Sequence, residues 1–541
     1  MCLPEPIPQD SAVCLVRRQM STQCLGARFA WHRVSFGAIL IPIMIPGETT
    51  NSAIQTLDQA DRIRRSISPE KKSQYGQFMT PAPVARFMAS MFAQSSFETC
   101  TLLDAGAGIG ALSCAFLDRW AAGKGFNFIR AEVEAYEIDA TLGEYLEKAL
   151  ATYTARLPLR TRIICDDFIL HGALQRMVPG RFSHAILNPP YKKIRSDSAH
   201  RHILRKAGIE TVNLYSAFVA LSLALMKVGG QIVAIVPRSF CNGPYYRPFR
   251  EFVLRNAALR HIHLFASRNK AFREDQVLQE NVIIRLERGA EQGGVAISHS
   301  TDDTFFDLVT HEHPFDRIVF SSDPESFIHI PTSSEPDEIE LCSSISCSLS
   351  DIGIDVSTGP VVDFRLLQHI QQHPVQGTVP LLYPGHFNGL ITQWPQDGMK
   401  RGNAIARNGE TEKWLFPNGF YTVVRRFSSK EEPRRIVASV VSPHEFPDVA
   451  MLGFENHLNV FHERKRGVAE ALAYGLATFL NTSAVDRHFR RFNGHTQVNA
   501  TDLLLMKYPH RQTLTALGVW ARSHRTATQA MIDDQLRKLA G

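Results

Sequence analysis

The chain has 541 residues, too many for one ordinary core, so two or more domains are expected. Hydrophobic residues make up 44% and charged residues 21%, which excludes a disordered or fibrous chain. The net charge of +6 is a mild bias toward polyanionic partners, and an unremarkable surface would show it as well.

The nine cysteines are scattered without a CxxC pair. Neither a disulfide framework nor a zinc ribbon is expected, and a reducing cytoplasm is the default. No apolar run reaches the roughly 18–20 residues that cross a bilayer. Residues 1–43 lack a clean period. The apolar run from Phe36 to Pro46 follows several arginines, yet it holds two prolines, lacks a small-residue cleavage site and starts far from Met1. A misplaced start is expected, with translation beginning at Met20 or Met44.

From about Tyr75 to Glu287 apolar β-like runs alternate with helical periods. The runs are Leu102–Leu103, Val133–Ile138, Arg162–Ile164, Ala185–Leu187, Ile232–Val236 and Val282–Leu286. Between them Leu112–Trp120, Leu142–Tyr153 and Asn213–Met226 read as helices. Alternation of this kind predicts an α/β domain with a doubly wound parallel sheet of Rossmann type. Its boundaries are placed at 44–290. Residues 291–345 are polar and rich in Ser, Asp and Pro, and read as a linker. Residues 346–541, with short segments punctuated by Gly and Pro and a helical pattern returning near Arg466–Leu480, read as a second, mixed α+β domain.

Four motifs carry chemistry. Asp104-Ala-Gly106-Ala-Gly108-Ile-Gly110 follows an apolar pair and precedes a helical period, so its glycines turn the backbone tightly and let a ligand approach. Any βα unit can carry such a turn. Ala135-Tyr136-Glu137-Ile138-Asp139 ends the next strand. Glu137 there suits a pair of ribose hydroxyls, whereas Asp139 equally suits a helix cap. Asp166-Asp167-Phe168 offers a carboxylate and an aromatic ring for an adenine edge and face, and is just as readily a polar turn. Asn188-Pro189-Pro190-Tyr191 closes the run Ser183–Leu187. Its prolines stiffen the backbone and remove two donors, leaving carbonyls aimed into a cleft. The amino group of adenine is a poor nucleophile because its lone pair is delocalised. The Asn188 side-chain oxygen and the Pro189 carbonyl suit its two hydrogens, holding the nitrogen in line for alkylation. Tyr191 suits stacking on a base that has left the helix.

In this order, after Tyr75-Gly-Gln-Phe-Met-Thr80-Pro81, the motifs resemble those of the γ-class (Eco57I/TaqI-like) type II DNA adenine-N6 methyltransferases. Val236–Gly243, Gln276–Asn281, Gly359–Arg365 and Asn493–Asn499 look like the PstI/BsuBI type within that class. The likeness runs from about residue 70 nearly to the C-terminus. It implies S-adenosyl-L-methionine as cofactor, held by Thr80, Pro81, Asp104, Gly106, Gly108, Glu137, Ile138, Asp167 and Phe168. Catalysis then falls to Asn188, Pro189, Pro190 and Tyr191, with no metal. It implies double-stranded DNA as substrate, a target resembling CTGCAG, a cognate restriction endonuclease as functional partner, cytoplasmic action and a monomer. A second base-stacking aromatic is expected before the Val282–Leu286 run. Phe272 lies nearest that place, and Phe265 or Phe240 are substitutes.

The C-terminal region carries basic and aromatic clusters at Phe420–Phe427, Arg434-Arg435 and Arg487–Phe492. From Asn481 to Gly541 there are nine Lys and Arg against four Asp and Glu. This region is expected to meet DNA phosphates. Asn493, Gln497 and Asn499 are eligible base readers and equally plausible turn-formers. The HxH pairs His261/His263 and His311/His313 read as surface or loop histidines. Rival readings remain. Pro447-Asp448 with Glu463-Arg464-Lys465 fits the loose pattern of a fused Mg²⁺ nuclease, and a protein glutamine amide offers a similar planar nitrogen. A DNA-binding regulator with an inactive methylase fold is disfavoured by the intact Asp104, Glu137, Asn188 and Tyr191. Chemistry on the cytosine ring would call for a Pro-Cys nucleophile.

Overall fold

The apolar runs of the first half assemble into one nine-stranded sheet. The strands are β1 (Thr99–Ala105), β2 (Arg130–Tyr136), β3 (Leu159–Ile164), β4 (Phe182–Leu187), β5 (Met226–Pro237), β6 (Ala257–Phe265), β7 (Asn281–Arg288), β8 (Val295–Ser300) and β9 (Val309–His313). The computed structural model describes residues 80–540 apart from 176–179, 266–279, 322, 332, 334–338, 340–341, 430 and 494–495. The expectations for residues 1–43, for most of the Tyr75–Pro81 motif and for Phe272 fall outside the described residues.

The strand order is β3-β2-β1-β4-β5-β7-β6-β8-β9. Strands β3, β2, β1, β4 and β5 are parallel, as the alternating pattern predicts. Strand β7 runs antiparallel between β5 and β6, and β9 antiparallel to β8, so the sheet is mixed rather than wholly parallel. Among the described residues seven helices accompany it: α1 (Ala82–Ser90), α2 (Ala111–Ala121), α3 (Ala140–Thr154), α4 (Phe168–Gln175), α5 (Ala199–Lys206), α6 (Leu214–Leu225) and α7 (Arg247–Asn256). Alternate residues of the central strands feed opposite faces. Leu102, Ile186 and Val233 pack with α1 and α2, whereas Leu103, Leu187 and Ala234 pack with α6. Burial on both faces is why these strands read as continuous apolar runs.

The chain leaves β1 toward β2 and β3, then crosses back to β4 on the other side of β1. The order therefore reverses between β1 and β4, and a crevice opens at their carboxyl ends, where such sheets bind ligands.

The expected linker at 291–345 is corrected in part, because β8 and β9 within it extend the sheet as far as His313. Charged and histidine residues interrupt their apolar periods, as they do in β6, and hid all three strands. The predicted strand Val133–Ile138 stops at Tyr136. Asp139 accepts from the Thr141 amide at 2.9 Å and caps α3.

Beyond Ile345 a six-stranded and a five-stranded sheet of short strands precede a helical end, the mixed α+β character expected of this half. The helices are α8 (Glu470–Leu480), α9 (Ser483–Phe492), α10 (Ala500–Leu505), α11 (Arg511–Ser523) and α12 (Gln529–Ala540). Helices α8 and α11 cross backbone to backbone. A Cβ at Gly475 would lie 1.8 Å from the Leu514 carbonyl oxygen, and one at Gly518 would lie 1.7 Å from that of Ala471.

Candidate active site

The crevice is built from the ends of β1, β2 and β4. After β1 the backbone passes through left-handed conformations at Gly106, Gly108 and Gly110, with φ of 77°, 56° and 87°. A side chain at any of the three would be strained. The turn is tied to β2, since the Gly106 and Ala107 amides donate to the Tyr136 carbonyl at 2.9 and 2.8 Å. The Gly108 amide donates to Glu137 Oε2 at 2.8 Å, and the Asp139 amide to Glu137 Oε1 at 2.9 Å. Both carboxylate oxygens of Glu137 are thereby positioned at the cavity wall.

Thr80, Gly106, Gly108, Glu137, Ile138, Asp167, Phe168, Asn188 and Pro190 line one cavity. The structure therefore brings together nine of the residues singled out from the sequence. Ile138 is 51% exposed there, an apolar side chain offered to a ligand. Pro81 instead caps α1, and Asp104, Pro189 and Tyr191, each within two residues of a lining residue in sequence, are not themselves among the lining residues. Asp104 is fully buried. Its Oδ2 accepts from the Ser113 hydroxyl at 2.6 Å, while Oδ1 has no hydrogen-bond partner among the described residues. Burial pushes this carboxyl up to about 7. An orphaned buried oxygen beneath a glycine turn fits a cationic amino-acid moiety above it.

Asp167 works as a local organiser. Oδ1 accepts from the Ile169 and Leu170 amides at 2.8 and 3.0 Å, which starts α4, and Oδ2 meets His200 Nε2 at 2.8 Å. Burial is the largest single influence and opposes its charge, but the His200 hydrogen bond together with those from the Leu170 and Ile169 amides holds the carboxyl below its ordinary range. His200 is correspondingly raised by that hydrogen bond. Sequence reasoning missed His200, and it missed Phe218 of α6, whose ring lies 5.0 Å from that of Phe168 at the same cavity. Nothing marks Phe218 within the wholly apolar run Leu214–Leu225.

At the end of β4, Asn188 Nδ2 donates to Thr80 Oγ1 at 3.0 Å. The Tyr191 hydroxyl donates toward Asn188 Oδ1 at 3.4 Å and the Ile235 carbonyl at 3.3 Å. The Tyr191 ring stands edge-on to Tyr215 at 6.1 Å, and burial drives its phenol well above the ordinary range. The Asn188 amide, the Pro189-Pro190 turn and the Tyr191 ring thus stand together at the end of β4, with Asn188 and Pro190 in the cavity wall. Phe240 and Phe265 are core residues, packed on Phe249 at 5.7 Å and on His263 at 4.7 Å, so neither replaces Phe272.

Many of the basic residues read as phosphate contacts are used internally. Arg435 is 1% exposed and donates to Asn493 Oδ1 at 2.6 Å. Arg434 donates to Gln529 Oε1 at 2.8 Å, Arg490 to Asp486 at 2.7 Å, and Arg425 pairs with Glu432. Asn493 is 1% exposed and donates to Asp502 at 2.9 Å, while Asn499 forms a capping box with Asp502 at the start of α10. These two asparagines are structural rather than base readers. Asn242 Nδ2 also reaches Asp502, at 3.3 Å, and Arg238 donates to the Arg490 carbonyl at 2.8 Å. Asp502 therefore links Asn242 of the Val236–Gly243 motif to Asn493 and Asn499, and these contacts join the two halves.

The HxH histidines lie on strands β6 and β9 rather than in loops, with His261 and His311 half-buried and His263 and His313 buried. His261 and His263 both contact Ser298 Oγ, at 2.7 and 2.9 Å. Glu463 of the nuclease-like pattern is paired with Arg511 at 2.7 Å, and among the described residues no three His, Cys, Asp or Glu gather as metal ligands. Among them, too, no helix is long and apolar enough to cross a membrane.

A β1 turn of three left-handed glycines, a β2 carboxylate and a β4 Asn-Pro-Pro-Tyr around one crevice define an S-adenosylmethionine-dependent methyltransferase. Residues 164–272 match the Eco57I restriction-modification methylase family. The chain is 50% identical over 496 residues to the type II methyltransferase M.BsuBI of Bacillus subtilis, covering 90% of this chain and 98% of that one. It is 42% identical over 453 residues to M.PstI of Providencia stuartii, covering 82% and 88%. A solved structure of the type IIL restriction-modification enzyme MmeI with DNA superposes with a TM-score of 0.49 at 10% identity, covering 90% of this chain and 74% of that one. The chain belongs to the type II methyltransferases of restriction-modification systems.

Proposed function

We propose that the protein methylates the N6 amino nitrogen of an adenine within a short specific sequence of double-stranded DNA. The observation that carries this reading is Asn188, held by Thr80 at the carboxyl end of β4, in the same cavity as the glycine turn and Glu137. S-adenosylmethionine, when bound, supplies a methyl group on a positively charged sulfur. The Gly106–Gly108 turn and Asp104 receive its amino-acid part, Glu137 its ribose, and Ile138, Asp167 and Phe168 its adenine.

The residues of the chain do the rest. The target base leaves the duplex at a cost of a few kcal/mol, which stacking on Tyr191 helps offset. Asn188 Oδ1 and the Pro189 carbonyl accept the two amino hydrogens and draw the nitrogen lone pair out of conjugation with the ring. Because these acceptors are fixed before the base arrives, little reorganisation is left for the transition state. Residues from 346 onward serve as the target recognition domain. The enzyme works as a monomer on cytoplasmic DNA, paired in function with a cognate endonuclease. The PstI/BsuBI likeness also makes a CTGCAG-like target the first to try.

Incubation of unmethylated DNA with protein and methyl-labelled cofactor, followed by digestion to nucleosides, tests the reading. Label in N6-methyldeoxyadenosine is expected. Label on cytosine, or on protein and not on DNA, would contradict it.

A further inference from the structure

The segment directly after the catalytic motif, residues 192–206, holds six Lys and Arg against one Asp. The structure sorts these cations. Arg195 pairs with Asp197 at 3.1 Å, and Arg201 and Arg205 share Glu210. Lys192, Lys193 and Lys206 are exposed, and none has a carboxylate partner among the described residues; of the three, only Lys192 and Lys193 directly follow Tyr191. Lys192 lines the same cavity as Asn188 and Pro190.

The backbone beneath the two lysines is clamped. The Leu214 amide donates to the Lys192 carbonyl at 2.8 Å, and the Ile194 amide to the Val212 carbonyl at 2.8 Å. Lys193 itself forms an antiparallel bridge with Asn213. Successive side chains of such a bridged segment diverge to opposite sides. One exposed ammonium group thus stands at the cavity, that of Lys192, and a second, that of Lys193, lies on the other side of the same clamped segment, directly after Tyr191.

We infer that Lys192 and Lys193 grip the DNA backbone phosphates flanking the extruded nucleotide. The inference rests on the reading of this cavity as one that takes a flipped base from DNA. An extruded nucleotide swings about its two flanking phosphates, and a point charge on each side fixes that pivot without reading sequence. The paired arginines of the same segment are already neutralised and supply little of this attraction. The Lys192 and Lys193 contacts therefore set affinity and orientation, whereas Asn188 performs the transfer.

The test is the salt dependence of duplex binding by the full chain, with cofactor affinity measured in parallel. Each phosphate contact contributes about 0.9 to the slope of log affinity against log salt. K192A/K193A is expected to lower the slope by about 1.8, so that its affinity falls about tenfold less than wild type between 50 and 200 mM salt. The KM for DNA rises, cofactor affinity stays unchanged, and K192R/K193R restores the slope. K148A, removing an exposed cation on α3, leaves it unaltered. An unchanged slope in K192A/K193A, or an equal fall in K148A, would overturn the inference while wild-type methylation stands. Failure of wild type to methylate DNA at all would instead remove the functional reading beneath it.

Discussion

The side-chain nitrogen of Asn188 donates to the hydroxyl of Thr80 at 3.0 Å, joining the end of β4 to the start of α1 across 108 residues of chain. An asparagine amide presents an acceptor on one side and donors on the other, and nothing in a strand end chooses between the two orientations. With Nδ2 donating to Thr80 and the Tyr191 hydroxyl directed at Oδ1 from 3.4 Å, these contacts select one of the two orientations. The resemblance assigns Thr80 to the cofactor alone, and this contact adds the orientation of the Asn188 amide to its work.

Thr80→Val removes that acceptor at nearly constant volume. Loss of one hydrogen bond worth about 1 kcal/mol lowers the single-turnover rate about fivefold to tenfold. Thr80→Ser restores the rate. Unchanged single-turnover kinetics in Thr80→Val would show that Asn188 is oriented by other means.

Asp104 gives the site a pH dependence. Burial raises its carboxyl to about 7, above the range of an unfolded aspartate. Its contribution to stability is therefore full in acid and is lost as pH rises through about 7. A cofactor carrying ammonium and sulfonium charges favours the ionised form. Its affinity should climb between pH 6 and 8, with proton release on binding in the lower half of that window. Calorimetry in buffers of different ionisation enthalpy measures both, and Asp104→Asn flattens the profile.

Two glycines decide the packing of the C-terminal helices. A methyl group at Gly475 or Gly518 would enter the backbone of the facing helix at under 2 Å. Gly475→Ala forces α8 and α11 apart at a cost of about 2–3 kcal/mol, and thermal melting reads this as a lower midpoint. Gly123→Ala serves as the comparison, since a Cβ there meets nothing within 4 Å and the cost is that of its left-handed backbone.

The catalytic half was legible because its chemistry is contiguous. Asp104–Gly110, Tyr136–Ile138, Asp167–Phe168 and Asn188–Tyr191 each occupy a strand end, and the sheet order alone brings strand ends together. His200 and Phe218 escaped notice because their roles arise across helices, from partners 33 and about 50 residues away, with no local pattern to mark them. The basic and Asn-rich runs misled for a related reason. Arg435 and Asn493 carry the chemistry of DNA readers, and only their burial shows that they serve each other. Strands β6, β8 and β9 were lost to interrupting histidines and charges, although each is held in the sheet by pairing with its neighbours.

The central claim is that Asn188 holds the amino group undergoing methylation, and single-turnover methyl transfer by Asn188→Ala tests it most directly. Removal of one fixed acceptor at the transition state costs about 10²–10³ in rate. The variant should lose that factor while binding cofactor and duplex within a few-fold of wild type. Transfer at the wild-type rate would contradict the account.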